Sequence, residues 1–281
     1  MSQPRVPGNR GHPPGGTSLR FPTPLHEQAA ETACQFFQPQ AAVDTVLLVN
    51  SVARGQATPE SDLDMAVLVR PGTPGAEIAR LEALWQEQLA THDLLRRFRQ
   101  SGKHAHVHLD LVTGQYTPTT WDDGGGPDGF ELGIGNQLAY GAPMHAAGPD
   151  YSQLQAEWLP YYGADLRRRR LAMARDACIY DLEHVPFFVG RALYFQAFDR
   201  LYKGFQEFLQ ALFIARRVYP LAYNKWIRMQ VAEWLGLPDL YRALPPLISV
   251  HNLESAEPVE KAARLKALLE EWAVEPPIQE E

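Results

Sequence analysis

Apolar positions along this chain follow two regimes. Up to about residue 113 they come as short runs: Val46-Leu47-Leu48-Val49, then Leu63 to Val69, then Val107-His108-Leu109-Asp110-Leu111-Val112, the last alternating apolar and polar. Runs of this length bounded by polar turns predict strands over 46–50, 63–69 and 106–112. Around them the spacing is helical. Leu25, Ala29, Ala33 and Phe36 predict a helix over 23–37, capped by Thr23 with Pro24 in its first turn. A short helix is expected near 52–57. Ile78, Leu81, Trp85, Leu89 and Leu95 predict one long helix over 76–100.

A further strand is expected near Pro143-Met144. From about Asp150 strand signals fade. Helices are predicted over 151–159, 163–183, 186–216, 219–236, 238–245 and 257–273, with Leu201, Phe205, Phe208 and Leu212 as one buried stripe. Strands alternating with helices, followed by helices alone, predict an α+β chain: a mixed sheet with its helices, then an all-α part. The expected division is a disordered tail at 1–22, rich in Pro and Gly and with no apolar core for a signal peptide, a sheet domain at 23–149 and a helical domain at 150–281.

The chemistry concentrates in Ser61-Asp62-Leu63-Asp64. Alternate residues of a strand share a face, so Asp62 and Asp64 project together. Two carboxylates this close repel unless a cation lies between them, and carboxylate oxygens with open positions suit Mg²⁺, which takes phosphate oxygens as further ligands. Upstream, the strand at 46–49 ends in Asn50-Ser51-Val52-Ala53-Arg54-Gly55. A polar turn leading into a helix gathers backbone N–H groups on an anion. Ser51 adds a hydroxyl donor, and Arg54 is placed either to reach a triphosphate or to form a surface ion pair. Asp110, on the polar face of the third strand, is a third acid that would complete a site for one or two Mg²⁺ ions.

These three pieces, in this order, resemble the nucleotidyltransferase superfamily that includes DNA polymerase β. Its pattern is Gly-Ser, about ten residues, Asp-x-Asp, and a later acid on a neighbouring strand. Ser51, Asp62, Asp64 and Asp110 match it. Ser-Val-Ala-Arg-Gly and Ser-Asp-Leu-Asp look like the bacterial branch with aminoglycoside and lincosamide adenylyltransferases. The resemblance implies transfer of AMP from ATP, or of another nucleotide from its triphosphate, to a hydroxyl of a small molecule or a protein. It implies Mg²⁺ at Asp62, Asp64 and Asp110, with Asp110 either completing a second metal site or taking the acceptor proton. Relatives carry a triphosphate-binding lysine in the helical domain, and Lys203 and Lys225 are the two candidates. Asn50 stands where the family has glycine. Asparagine tolerates positive φ better than most residues, which preserves the turn, but its side chain beside the phosphates opens a second reading: a nucleotide-binding or regulatory protein with impaired catalysis.

A formal net charge of −7 and a pI near 5.7 argue against general nucleic-acid binding, which needs a basic footprint. Cys34 and Cys178 are too few for a disulfide framework and read as thiols in a reducing compartment, so a cytoplasmic location is expected. No apolar run is long enough to predict a membrane span.

Other clusters have plainer readings. His104, His106 and His108 share the face of Asp110 by period two, but an extended row is too long for all three to meet one ion; His108, nearest Asp110, is the one able to touch the site or its substrate. Arg167 to Arg170 spread around a helix and read as salt bridges on a solvated face. Asp181 and Glu183 read as surface acids, with a general-base role as the alternative. Tyr219 and Tyr223 read as core residues. The Gly-rich acidic loop at 122–129 reads as a connector.

Overall fold

The computed structural model describes residues 19–119, 121 and 123–275. Of the tail expected at 1–22, residues 1–18 lie outside the described residues, as does Asp122 of the acidic loop. In chain order the elements are α1 (Pro24–Phe37), β1 (Val43–Leu48), α2 (Asn50–Ala53), β2 (Leu63–Val69), α3 (Gly75–Thr91), α4 (Asp93–Gln100), β3 (Val107–Val112), α5 (Phe130–Ile134), a π-helical turn (Gly135–Ala139), β4 (Ala142–Pro143) and α6 (Pro149–Trp158). Helices follow: α7 (Ala164–Val189), α8 (Tyr194–Arg216), a π-helical turn (Met229–Trp234), α9 (Pro238–Ile248) and α10 (Glu257–Trp272). This is the expected α+β arrangement, a small mixed sheet with helices followed by a helix-rich stretch. Two compact units are formed, one by residues 19–117 with 133–160, the other by the described residues of 118–132 with 161–275.

In the first unit the strand order is β3-β2-β1-β4, with β2 parallel to β3 and β1 antiparallel to both β2 and β4. The pleat sorts the side chains. Leu63, Met65 and Val67 of β2 pack with Val46 and Leu48 of β1, with Ala29, Ala33 and Phe37 of α1, and with Leu81, Trp85, Leu95 and Phe98 of α3 and α4. Asp62, Asp64, His106, His108 and Asp110 occupy the alternate positions and so belong to the opposite face.

The single helix predicted over 76–100 is two helices. His92 is extended, at φ −73° and ψ 120°. At roughly 100° per residue, a straight helix would leave Leu95 about 40° from Leu81 but carry Phe98 about 100° from it, off the stripe made by Leu81 and Trp85; the break brings Leu95 and Phe98 together into the same core. β1 begins three residues earlier than expected, and the added Asp44 has a use. Its carboxylate accepts hydrogen bonds from the backbone N–H groups of Asp150 and Tyr151, capping α6 within the first unit.

The second unit is built on α7 and α8, with α10 packed against both. The helix break expected near 184–185 falls instead at 190–193. Val185 and Phe188 are buried, so the apolar stripe of α7 carries on past Pro186 to Gly190. The helix expected over 219–236 is largely irregular. Buried Gln230 takes over backbone groups there: Leu221 N–H donates to its Oε1, and its Nε2 donates to the carbonyls of Ala222 and Lys225. A side chain that satisfies the backbone of a loop removes the need for helical bonds.

Three expectations about charge are corrected here. Arg167 and Arg170 are buried rather than solvated, because their i,i+3 spacing places both on the inner side of α7. Arg170 donates to both carboxylate oxygens of Asp128 and both of Glu131, and Gln210 donates to both acids. Asp128 is therefore an anchor rather than part of a loose connector. Asp181 is no surface acid: it is fully buried and paired with Arg200. Glu183 is exposed and pairs with Lys266. Tyr219 and Tyr223 are buried as expected. Both cysteines are free and buried, and no described helix is long and apolar enough to cross a membrane.

Glu207 of α8 is buried without a hydrogen-bond partner of good geometry for either oxygen among the described residues. Burial, with the Asp181 carboxylate adding to it, pushes its pKa up to about 8.

Two predictions follow from these carboxylates. Arg170→Met strands Asp128 and Glu131 without their main donor and is expected to cost about 3–5 kcal/mol, seen as an early urea midpoint; a loss below about 1 kcal/mol would show the network to be dispensable. Glu207 stays protonated in the fold up to about pH 8, whereas the unfolded chain ionises it near the ordinary glutamate value. Between these values the fold holds a proton that the unfolded chain has released, so stability falls as pH rises through that window and then levels off. Glu207→Gln should remove this fall, a slope of up to ~1.4 kcal/mol per pH unit, so thermal melting should separate variant from wild type near pH 8 and bring them together near pH 4.5.

Candidate functional site

β1 runs into the turn Asn50-Ser51, which opens α2, and the chain returns through 55–61 to β2. Asn50 has φ 55°, the left-handed region where asparagine is among the better-tolerated residues. Ser51 follows it, half-buried. The loop before β2 is pinned at Ser61. Buried His26 of α1 contacts the Ser61 carbonyl through Nε2 at 3.0 Å and the Thr23 hydroxyl through Nδ1 at 2.7 Å, while Ser61 Oγ accepts from Thr58 N–H at 3.0 Å. The backbone leading into Asp62 is thus held from both sides.

Asp64 is half-buried. Burial raises its pKa, and the adjacent Asp62 carboxylate raises it further; hydrogen bonding from Asn50 and the charges of His108 and Arg54 act the other way. Burial lowers the basicity of Arg54, and the nearby Asp64 and Tyr140 act against that only in part. Its Nε donates to Gln56 Oε1 at 3.1 Å, and its Nη1 is buried with no hydrogen-bond partner among the described residues. A buried guanidinium N–H with no partner among the described residues, near Asp64 and a polar turn, is a donor suited to an anion.

The register of the parallel pair sets the third acid. Asp64 lies opposite His108, and Asp110 lies opposite Ala66, one step further along the same face. The side chain directly beside Asp64 is therefore an imidazole. His108 Nε2 is 3.6 Å from Asp62 Oδ2, and the rings of His106 and His108 pack edge to face with centroids 3.8 Å apart. Among the described residues, one set of three groups able to hold a metal has its ligand atoms all within 4.8 Å: Asp62, His106 and His108. Asp110 is exposed and lines, with His106, His108, Trp85, Leu89 and Arg99, a groove of about 630 Å³ along the β3 edge.

Lys203 and Lys225 lie in the second unit. Lys203 donates to Asp199 one helical turn away at 2.8 Å, and Lys225 is exposed in the irregular stretch before the π-helical turn. Sequence reasoning missed His26 and Tyr140. Each looks like an ordinary apolar-face residue until the fold brings it to the loop or to Arg54.

Residues 27–113 match the nucleotidyltransferase domain family. The match runs from α1 through the end of β3 and takes in the Asn50-Ser51 turn, the Asp62/Asp64 pair and Asp110. It supports the nucleotidyltransferase superfamily and the transfer of a nucleotidyl group from a nucleoside triphosphate. No curated protein matches the chain.

The left-handed φ of Asn50 generates a prediction. Asn50→Gly should keep the turn and stay within about 0.5 kcal/mol of wild type, whereas Asn50→Val should lose about 1–2 kcal/mol by forcing a β-branched residue into that region. Chemical denaturation of the two variants measures the difference.

Proposed function

We propose that the protein is a Mg²⁺-dependent nucleotidyltransferase that moves AMP from ATP to a hydroxyl on a small molecule of aminoglycoside type or on a protein. The observation that carries this reading is the pairing of Asp62, just before β2, with Asp64 on β2, beside a turn opened by left-handed Asn50 and the Nη1 of Arg54 that has no partner among the described residues. The donor set fits the ion: Asp62 and Asp64 offer hard carboxylate oxygens, and Asp64 carries burial and a like-charge neighbour that a cation relieves. When bound there, Mg²⁺ supplies positive charge that polarises the phosphoryl group and offsets charge on the leaving pyrophosphate.

The chain's own groups do the remainder. Ser51 Oγ and the turn amides donate to phosphate oxygens, and Arg54 Nη1 supplies a charged donor. Asp110 either adds an oxygen ligand for a second ion or accepts the proton of the attacking hydroxyl. Lys203 and Lys225 are the two candidates for neutralising the triphosphate tail. The acidic net charge favours a cationic acceptor by steering, and the buried thiols agree with a reducing, cytoplasmic setting.

A second reading rests on Asn50, whose side chain hydrogen-bonds Asp64 and so competes for the carboxylate. It makes the protein a nucleotide-binding regulator with little turnover.

Asp64→Asn is expected to cut transfer from labelled ATP to acceptor by at least about a hundredfold while the circular dichroism spectrum stays unchanged; undiminished transfer would remove the assignment. Under the second reading wild type binds ATP with Mg²⁺ but releases no pyrophosphate over hours, and Asn50→Gly gains release.

A further inference from the structure

We propose that Asp62, His106 and His108 form a binding site for a divalent transition-metal ion, of the zinc, nickel or copper class, distinct in chemistry from an all-oxygen Mg²⁺ site. The site shares Asp62 with the nucleotidyl reading but does not depend on it.

Three observations carry the inference. The ligand atoms of the three residues lie within 4.8 Å of one another, with Asp62 Oδ2 and His108 Nε2 at 3.6 Å. Ligand atoms on one tetrahedral zinc are roughly 3.4 Å apart, so rotation about side-chain bonds suffices to close the set. The supports are rigid. Leu63 N–H donates to the His106 carbonyl at 3.0 Å, which locks the residue after Asp62 to the backbone of one histidine. The parallel pairing continues from Leu63 and Val107 through Leu68 and Val112, and His26 and Thr58 hold Ser61 on the other side of Asp62. Finally, the two imidazoles are stacked edge to face at 3.8 Å. A simple ion pair explains one histidine beside Asp62; it gives no reason for the second ring to converge on the same carboxylate.

Donor chemistry then selects the ion. Imidazole nitrogen favours zinc, copper, nickel and iron, and tolerates cobalt and manganese, whereas Mg²⁺ demands oxygen and keeps its water. Two imidazoles and one carboxylate leave open positions for water or a substrate oxygen. His108 and Asp62 are each partly exposed, at 52% and 37% of their side chains, so the ion has a way in. His104, next in the period-two row, is not in the set, in keeping with the length of an extended row.

The test uses the full chain, free of any histidine tag, stripped with a chelator and titrated with Co²⁺ in the absence of nucleotide. The expected result is a visible d–d absorption band saturating at about one Co²⁺ per chain, displaced by Zn²⁺ and resistant to an approximately hundredfold excess of Mg²⁺. His106→Ala and His108→Ala should each weaken binding by at least about tenfold, with His104→Ala close to wild type. All three are surface changes, and circular dichroism checks their folding. Wild-type cobalt binding in both His106→Ala and His108→Ala, or displacement by Mg²⁺ at equal concentration, would overturn the site. Because no turnover is read, that result would leave the nucleotidyl reading untouched, and a cobalt site that persists where transfer fails supports the metal site alone.

Discussion

The pleat of β2 is the constraint on which the first unit rests. Leu63, Met65 and Val67 point into the core under α1, α3 and α4, each worth about 1.5–3 kcal/mol of burial. A slip of one residue would expose all three and drive Asp62 and Asp64 into the apolar layer. The register is thus secured by hydrophobic burial, and the two acids inherit their position from it. The parallel pairing with β3 transmits the same precision sideways, which is why the imidazole of His108 comes to lie beside Asp64.

Carboxylates taken out of water are handled in three ways here. Glu131 is fully buried and accepts from Tyr162, Arg170 and Gln210. Its charge is matched locally, as burial of an ion requires. Glu207 has no donor of good hydrogen-bond geometry among the described residues, and burial pushes it toward the neutral acid. Asp64 stands between these cases: burial and Asp62 disfavour its charge, while Asn50, His108 and Arg54 favour it. The first arrangement fixes structure, the second stores a protonation penalty, and the third leaves a charge that an external cation can complete.

Much of the first unit was legible because its signals are local. Strand 63–69 is observed at Leu63–Val69, and the Thr23 cap and the positive φ of Asn50 follow from the chemistry of single residues. The misjudged features depend on partners distant in sequence. The break at His92 serves a core shared with α1 and the sheet. Arg167 and Arg170 look like surface cations until Asp128, Glu131 and Gln210 are brought to α7. Gln230 unwinds a predicted helix by bonding backbone groups from 221 to 225.

By itself the sequence determined which residues alternate on a strand, which stripe a helix buries, and that Asp62 and Asp64 share a face, because periodicity is a property of the local backbone. The tertiary structure alone decided which strand lies beside β2 and in what register, hence that His108 rather than Asp110 stands opposite Asp64, and that His106 joins it near Asp62. Register between strands more than forty residues apart is set by the packing of the whole core, and no local pattern encodes it.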